Sequence, residues 1–400
     1  MIRYITTQNK SLCCGCRACT QICPVGALHM QADQEGFLYP SLKPDLCIHC
    51  GLCNKVCPME NADRTLAPSA KPKTYACWSN NSDIRTCSSS GGMFSEIASV
   101  ILKQNGSVFG AAFDSNFQLQ HIQVRSSESL HQLRGSKYLQ SDTLDTYTQV
   151  HQLLKDGHEV YYTGTPCQIA GLKLFLRRSY SNLMTSDLIC HGVPSQKFFD
   201  AYRSYLEQKH NGHLEQFSFR DLAGWSPSDN YRINGRKHRF LTYESQPYRY
   251  AFLQGMINRP ACYQCPFTQT RRTGDITIAD FWGIQRFVPQ IDTRQGVSLI
   301  LVNTEKGERI LQQLLPQITI YPSRIEDAAV ENGNLTHQTL KHSLRDKIYT
   351  ELDRRSFSDL AKHEFREPKL ALKFIKYIIV QILTLLGIKS MIKQLTHRFK

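Results

Sequence analysis

A cysteine motif that occurs twice constrains this chain more than any other feature. Both copies have the spacing Cys-x2-Cys-x2-Cys-x3-Cys-Pro, and the second begins 34 residues after the first. In this spacing three close thiolates bind one face of an iron-sulfur cube, and the fourth ligates the cube of the other copy. The motif therefore predicts two 4Fe-4S clusters. We assign Cys13, Cys16, Cys19 and Cys57 to the first cluster, and Cys47, Cys50, Cys53 and Cys23 to the second.

A pair of zinc knuckles is the alternative, because such sites also use Cys-x2-Cys pairs. Zinc closes its shell with four thiolates and does not need the third cysteine of each triplet. Cys14 lies outside the pattern and is expected to be a packed thiol. The stretch resembles the bacterial two-cluster ferredoxin domain. A unit this small has little core, so its clusters are expected to supply much of its folding energy.

The rest of the composition is that of a globular protein. Hydrophobic residues make up 41% of the 400 residues and charged residues 20%, which excludes a disordered chain, a collagen and a polytopic membrane protein. Residues 1–10 contain no apolar run that would form the core of a signal peptide. We therefore expect the 15 cysteines to stay reduced in the cytoplasm rather than form disulfides.

The net charge of +14 is unevenly distributed. Half of it lies in residues 361–400, where nine Lys or Arg accompany two Glu. No zinc finger, RNA-binding aromatic motif or long basic run accompanies this charge, so we expect no nucleic-acid partner. The segment 370–388 is apolar between basic residues, which favours a helix lying at the inner membrane surface or packing on protein, rather than one that crosses the bilayer.

Composition divides the chain into four parts. These are a ferredoxin-type domain (1–60), a linker (61–72), a larger mixed α/β domain (73–325) and a helical tail (326–400). The fold class is thus α+β, with the small two-cluster domain followed by a larger flavin-binding domain. Strands are expected at 107–113, 159–162 and 184–189, and amphipathic helices at 93–104 and 196–207.

Four further cysteines lie far apart in the larger domain. Cys167 and Cys190 each follow a predicted strand, where sites gather in α/β sheets, and Cys262 and Cys265 form a Cys-x2-Cys pair. From spacing alone three interpretations stay open: a metal site with four thiolates, buried apolar residues, or a nucleophilic Cys167 with His191 as its base. Cys77 and Cys87 are expected to be structural.

The larger domain resembles the β-subunit family of coenzyme F-420 hydrogenases and dehydrogenases over about 73–316. The resemblance rests on Ser88-Ser89-Ser90-Gly91-Gly92, Gly135-Ser136-Lys137-Tyr138, Gly164-Thr165-Pro166-Cys167-Gln168, Cys190-His191-Gly192, Cys262-x2-Cys265 and 274–283. It implies FAD and a third 4Fe-4S cluster, held by Cys167, Cys190, Cys262 and Cys265. The implied flavin contacts are Ser89, Ser90, Gly91, Gly92, Lys137, Tyr138, Gly164 and Thr165.

The residue types of the loop at 88–92 independently suit the binding of a phosphate group. The Ser and Gly residues of 88–92 precede a predicted helix, so free N–H groups and close backbone approach are available for a pyrophosphate. An ordinary serine-capped helix is the alternative. Arg271 and Arg272 are candidates for an acidic substrate or a flavin phosphate, or form a solvated basic turn. Asp280 is expected to face the site, and His191 is the candidate proton donor, or a loop histidine.

These features predict an iron-sulfur flavoprotein oxidoreductase. Electrons would pass from a one-electron carrier, such as a ferredoxin, through the clusters to FAD and on to an organic substrate, or in reverse. The alternatives are an electron-transfer subunit that docks onto a separate hydrogenase or dehydrogenase, and a metal-stabilised scaffold. The residues identify neither the substrate nor whether coenzyme F-420 is used.

Overall fold

The computed structural model describes residues 2–67, 71–220, 228–240 and 246–366, and helical conformation at 375, 378 and 379. The predicted membrane-surface segment at 370–388 lies almost entirely outside the described residues. Within them, no helix is both long enough and apolar enough to cross a membrane.

The N-terminal unit contains two short helices that begin inside the cysteine triplets. Its elements are α1 (Arg3–Thr7), α2 (Ala18–Gln21), β1 (Leu28–Ala32), β2 (Leu38–Leu42) and α3 (Leu52–Lys55). Gly51 precedes α3 with a φ of 72°, a conformation that glycine adopts readily. β1 and β2 pair antiparallel, with Leu28 opposite Leu42. This hairpin joins the two cysteine motifs.

An eight-stranded mixed sheet forms the centre of the larger body. Its strands are β3 (Lys73–Ser79), β4 (Ser107–Phe113), β5 (Leu119–Val124), β6 (Val160–Gly164), β7 (Leu183–Leu188), β11 (Ile276–Asp280), β12 (Ser298–Val302) and β13 (Ile318–Ser323). The order is β13-β3-β12-β11-β7-β6-β4-β5. The four strands β11, β7, β6 and β4 are parallel, and the outer strands run antiparallel to their neighbours. The carboxyl ends of β6 and β7 therefore lie side by side.

Helices cover both faces of this sheet. They are α4 (Ser82–Thr86), α5 (Met93–Lys103), α6 (Thr146–Lys155), α7 (Pro166–Leu176), α10 (Glu305–Leu314) and α11 (Ile325–Ala329). α5 and α10 bury Ile97 and Leu311 against Tyr161 of β6. α6 and α7 bury Val150 and Ile169 on the opposite face. The alternation of strand and helix predicted this layered arrangement.

The predicted elements agree closely with the observed ones. The strand at 107–113 has the predicted bounds, and the helices at 93–104 and 196–207 end at Lys103 and His210. Asn105 adopts a φ of 56° directly after α5, and the Gly106 N–H donates to Ile101 O at 3.0 Å. This left-handed residue ends the helix, as is typical of an Asn-Gly pair.

A second layer of the body is built from aromatic residues. It contains α8 (Gln196–His210), the antiparallel strands β8 (Leu214–Ser218), β9 (Asn230–Ile233) and β10 (Arg236–Arg239), and the helices α9 (Pro247–Leu253), α12 (Arg345–Leu352) and α13 (Phe357–His363). Phe198 of α8 contacts Tyr349 and Phe357 edge to face. Residues 345–366, predicted as part of the tail, are therefore packed into the body, because their apolar face completes this aromatic core.

The predicted linker at 61–72 likewise makes specific contacts where it is described. Leu66 and Ala67 are buried. The Ala67 N–H donates to Arg272 O at 2.7 Å, and Arg271 donates to Ala67 O at 3.1 Å. These contacts join 61–67 to the body, while 68–70 lie outside the described residues.

Candidate cofactor sites

The first predicted ligand set gathers around α2. Burial, together with the charges of Cys13 and Cys57, raises the pKa of the Cys19 thiol well above its usual value. Burial and Cys13 raise the pKa of Cys57 to about 12. The cysteine from the second motif therefore lies with the triplet of the first, as the crossed ligand pattern requires.

The second set lies at the surface. Cys23, Cys47, Cys50 and Cys53 all line one cavity of about 70 Å³, together with Leu28 and Leu42 of the hairpin. Cys23 comes from the first motif and the other three cysteines from the second. Cys50 is exposed, whereas Cys16 and Cys19 of the first set are buried. The second set is therefore the more accessible of the two.

The third set forms where β6 and β7 end. Cys167 lies in the first turn of α7, Cys190 follows β7, and Cys262 lies in a short 3-10 turn at Pro260–Gln264 that precedes Cys265. Burial, followed by the charges of Cys190, Cys265 and Cys167, raises the pKa of Cys262 well above its usual value. Burial and Cys167 raise the pKa of Cys190 and of Cys265 to about 12 each. Four thiols from three separate segments thus face one another.

These donor sets suit iron-sulfur clusters chemically. Each offers four thiols, and the thiolate is the form that binds a metal cation. Among the described residues, no three His, Cys, Asp or Glu side chains are placed to hold a single metal ion. A four-iron cube distributes its thiolates over separate corners.

The first and third sets touch through Cys14. Its buried thiol lies near the thiols of Cys16 in the first set and Cys167 in the third, and interacts electrostatically with both. Cys14 is thus a packed thiol, at the junction of the two sets. A Cβ at Gly171, four residues after Cys167, would lie only 3.0 Å from Cys16 Sγ. The absence of a side chain at Gly171 lets the two sets approach each other.

A cavity of about 730 Å³ opens beside the third set. Cys190 and Thr165 line it, so one predicted cluster ligand borders the cavity directly. Its volume lies in the range of sites for cofactors and small molecules. It is enclosed by the loops after β3, β6 and β7 and by the start of α5.

Most of the predicted flavin contacts line this cavity. They are Ser89, Ser90, Gly92, Lys137, Tyr138, Gly164 and Thr165, joined by His191. Gly91 does not line it: a Cβ there would lie 2.4 Å from the carbonyl oxygen of Cys77 and 2.8 Å from the Ser298 N–H nitrogen. Gly91 is therefore needed for close backbone packing of the loop against β3 and β12.

The loop at 88–92 leaves the start of α5 open towards the cavity. Gly92 precedes the helix with a φ of 89°, and no described side chain caps it. Ser89 Oγ instead accepts a hydrogen bond from the Ser136 N–H at 2.9 Å, and Ser90 Oγ donates to Val297 O at 3.1 Å. The serines thus brace the loop, and the free N–H groups of the first helical turn are available to an anion.

Lys137 and Tyr138 are titratable residues that line the cavity. Lys137 Nζ donates to the carbonyl oxygens of Leu133 at 2.9 Å and Arg134 at 2.8 Å, and burial lowers its pKa to about 7. Burial opposes ionisation of Tyr138, but Arg220 and Arg249 outweigh it and lower the pKa of the phenol. The Arg249 guanidinium lies 4.3 Å from the centre of the Tyr138 ring.

His191 lines the cavity, and its surroundings determine which ring nitrogen carries the proton. Asn334 Nδ2 donates to Thr339 Oγ1 at 3.2 Å, which orients Asn334 Oδ1 towards His191 Nδ1 at 3.1 Å. Nδ1 therefore carries the proton. Burial lowers the pKa of His191, and within the described part of the chain its buried Nε2 has no partner. In this tautomer Nε2 accepts a hydrogen bond or a proton; donating one would require prior protonation.

The other charged residues near these sites divide into those that line the cavity and those that do not. Arg272 is buried and pairs with Asp187 at 3.2 Å, and Arg271 contacts Ala67, so neither lines the cavity. Asp275 is held by Thr185 and Thr304 and is structural. Asp280 lines the cavity and pairs with Arg220 at 2.7 Å.

Sequence reasoning missed several residues at these sites. Arg220, Arg249 and Trp282 line the cavity, and Arg259 contacts Cys13. Arg220 and Arg249 belong to no short motif, so periodicity gave no signal for them. Arg259 stands three residues before Cys262, and this proximity to a ligand was the available clue.

The charge of Lys137 leads to a prediction about pH. Burial lowers the pKa of Lys137 to about 7, and an anionic phosphate bound nearby would raise it again. Above pH 7, Lys137 would therefore take up a proton when the phosphate binds. We expect the FAD affinity of flavin-free protein to fall as the pH rises above about 7, by up to about tenfold per pH unit. Fluorescence titration from pH 6 to 9 measures this.

Lys137→Met is the matched control for this titration. It should bind FAD more weakly at pH 6 and lose the pH dependence. An equal slope in both proteins would show that another group takes up the proton.

Three family models match the chain. They are the 4Fe-4S dicluster domain over 12–61 and the N-terminal and C-terminal parts of the coenzyme F420 hydrogenase/dehydrogenase beta subunit, over 74–147 and 157–328. The two beta-subunit parts together match more than half of the chain. No match was found among the curated proteins.

Among solved structures, the chain is similar to one chain of the F420-reducing [NiFe] hydrogenase complex from Methanosarcina barkeri, in a xenon derivative. The identity is 15% and the TM-score 0.46, over 72% of this chain and 95% of that one. The two-part family match agrees with the motifs found in the sequence. The chain is an iron-sulfur electron-transfer protein that belongs to the coenzyme F420 hydrogenase/dehydrogenase beta-subunit family.

Proposed function

We propose that this protein is an iron-sulfur flavoprotein oxidoreductase that exchanges electrons between a one-electron carrier, such as a ferredoxin, and an organic substrate. The observation that carries the proposal is the order of the sites. The exposed second set, the buried first set, the third set and the cavity follow one another, with Cys14 between the first and third sets. Iron-sulfur clusters exchange single electrons, and a flavin exchanges one or two.

The chain would hold each group with a different part of its fold. The twelve cysteines bind three clusters in three ligand sets. The loop at 88–92 and the start of α5 would bind the flavin pyrophosphate, with Lys137 adding positive charge. The exposed face around Cys50 is the natural place for a carrier to dock.

Another part of the cavity lining is suited to a substrate. Arg220 and Arg249 lie there as ion pairs with Asp280 and Asp229, and His191 Nε2 supplies a hydrogen-bond acceptor. A polar organic molecule that both donates and accepts hydrogen bonds fits these groups. His191 would orient such a molecule and take up a proton from it during oxidation.

Metal and flavin analysis of anaerobically purified protein tests the proposal. We expect about 12 iron atoms, from three clusters of four, and about one FAD per chain. A reduced ferredoxin should bleach the flavin absorbance. An organic acceptor should then restore it without a second protein.

Three results would contradict this function. Stoichiometric zinc without brown colour would replace the redox role with a structural one. Protein that contains iron but no flavin would be an electron conduit or a metal-stabilised scaffold. Flavin that is reoxidised only when a separate dehydrogenase is added would identify the chain as an electron-transfer subunit.

A further inference from the structure

Arg259 lies beside the proposed electron path but has no role in the function proposed above. It is fully buried and lies between the N-terminal unit and the body. Its Nε donates to Cys13 O at 2.7 Å, and its Nη2 lies 3.7 Å from Cys13 Sγ. Its backbone carbonyl accepts from the Cys262 N–H at 2.9 Å. One residue thus contacts ligands of both the first and the third set.

The charge of Arg259 has no carboxylate partner among the described residues. Its guanidinium donates to the neutral oxygens of Gln140 and Leu38, at 2.9 Å each, and lies 4.1 Å from the centre of the Tyr39 ring. An unpaired buried charge is costly. In contrast, the other buried arginine at this junction, Arg345, pairs with Glu35 at 2.5 Å.

A negatively charged cluster would compensate this cation. A four-iron cube with four thiolate ligands becomes more negative by one charge when it takes up an electron. A fixed positive charge beside one of its sulfurs therefore stabilises the reduced form more than the oxidised form, and net charge and hydrogen bonds to sulfur are known determinants of cluster potentials. Because the guanidinium stays charged in both states, no proton accompanies the electron.

We propose that Arg259 sets the reduction potential of the cluster held by Cys13, Cys16, Cys19 and Cys57 by placing an uncompensated guanidinium against Cys13. This inference rests on the proposed cluster assignment. Arg259 is a positioning residue, since it acts through the ligand Cys13. By raising the potential of the buried first cluster, it keeps that cluster able to accept an electron from the exposed second one.

Redox titration of the anaerobic full-length protein, followed by electron paramagnetic resonance, tests this role. In Arg259→Met we expect the potential of the first cluster to become more negative, that of the third to shift less, and that of the second to stay unchanged. Adding Cys262→Ser removes the third cluster and leaves two signals to compare. Unchanged potentials in Arg259→Met with full iron content would overturn the proposal.

Gln140→Glu changes the charge without removing Arg259. The carboxylate would replace the amide oxygen that accepts from Arg259 and would neutralise the guanidinium in place. We expect the first potential to fall in this variant too, and to stay near the wild-type value in Gln140→Met. A Gln140→Glu potential equal to that of wild type would contradict the proposal even if Arg259→Met does not fold.

Arg345→Gln is the matched control. It removes a buried arginine from the same junction without touching a cysteine, so it should weaken the packing but leave all three potentials unchanged. An equal shift in Arg345→Gln would assign the effect to loosened packing and overturn the role of charge. Iron content separates the two proposals. If wild-type protein contains no clusters, the proposed function is wrong. If it contains all three clusters and their potentials do not change in Arg259→Met, only the role of Arg259 is wrong.

Discussion

Replacing Cys262 with serine should remove about four of about 12 iron atoms and leave the other clusters and the flavin in place. Among the cysteines, Cys262 interacts with Cys167, Cys190 and Cys265, and it does not line the predicted flavin cavity. A serine hydroxyl is far less acidic than a thiol and is therefore a poor ligand for iron, so the third set should lose its cluster. Iron analysis with electron paramagnetic resonance of the reduced protein measures the loss.

Cys87→Ser is the control for this experiment. Cys87 is exposed and belongs to none of the three sets, so its variant should keep all of its iron. If Cys262→Ser also keeps all of its iron, the four cysteines of the body are core residues and not ligands.

Asp187→Asn should lower the free energy of unfolding by about 3–5 kcal/mol, because it leaves the Arg272 charge buried without a counter-ion. Asp187 is fully buried on β7 and accepts hydrogen bonds from Thr273 Oγ1 at 3.0 Å and Thr277 Oγ1 at 2.5 Å. Its partner Arg272 in turn donates to Leu188 O at 2.7 Å, two residues before Cys190. This network fixes the end of β7, so iron should also be lost from the third set.

Denaturant unfolding followed by circular dichroism measures the stability change. Asp346→Asn is the control, because the Lys341–Asp346 pair is also an ion pair but is exposed, and such pairs contribute little. Equal stability in wild type and Asp187→Asn would mean that Arg272 finds another partner and that the pair does not hold the strand end.

Those features of the fold and of the sites that depend on residues close together in the sequence could be predicted. The crossed ligand pattern follows from spacing, and the end of α5 follows from the Asn105-Gly106 pair. The positions of Cys167 and Cys190 after two strands predicted their meeting, since β6 and β7 are parallel neighbours. The first two inferences needed no knowledge of strand order, whereas the meeting of Cys167 and Cys190 depends on β6 and β7 being neighbours.

What could not be predicted depends on contacts between distant segments. The order of eight strands is not encoded in any one of them, and Arg220 and Arg249 reach the cavity only through the second layer of the body. The stretch at 61–67 looks like part of a linker because the proline- and serine-containing residues of 68–72 follow it. In the structure, however, Leu66 packs in one cluster with Phe267. A glycine in such a loop allows either the close approach of a ligand or the close packing of another backbone segment. The sequence does not distinguish these two roles, so it does not show that Gly91 packs against β3 and β12.

The bare backbone at Gly171 has a consequence for comparing related chains. Cys16 Sγ approaches α7 at this residue, where even one methyl group would press against the sulfur. In a body without an attached ferredoxin unit the restraint from Cys16 is absent, although the Tyr147 hydroxyl, 3.3 Å from the same Cβ position, remains. We therefore expect family members that dock such a unit on this helix to keep glycine at the position aligned with 171.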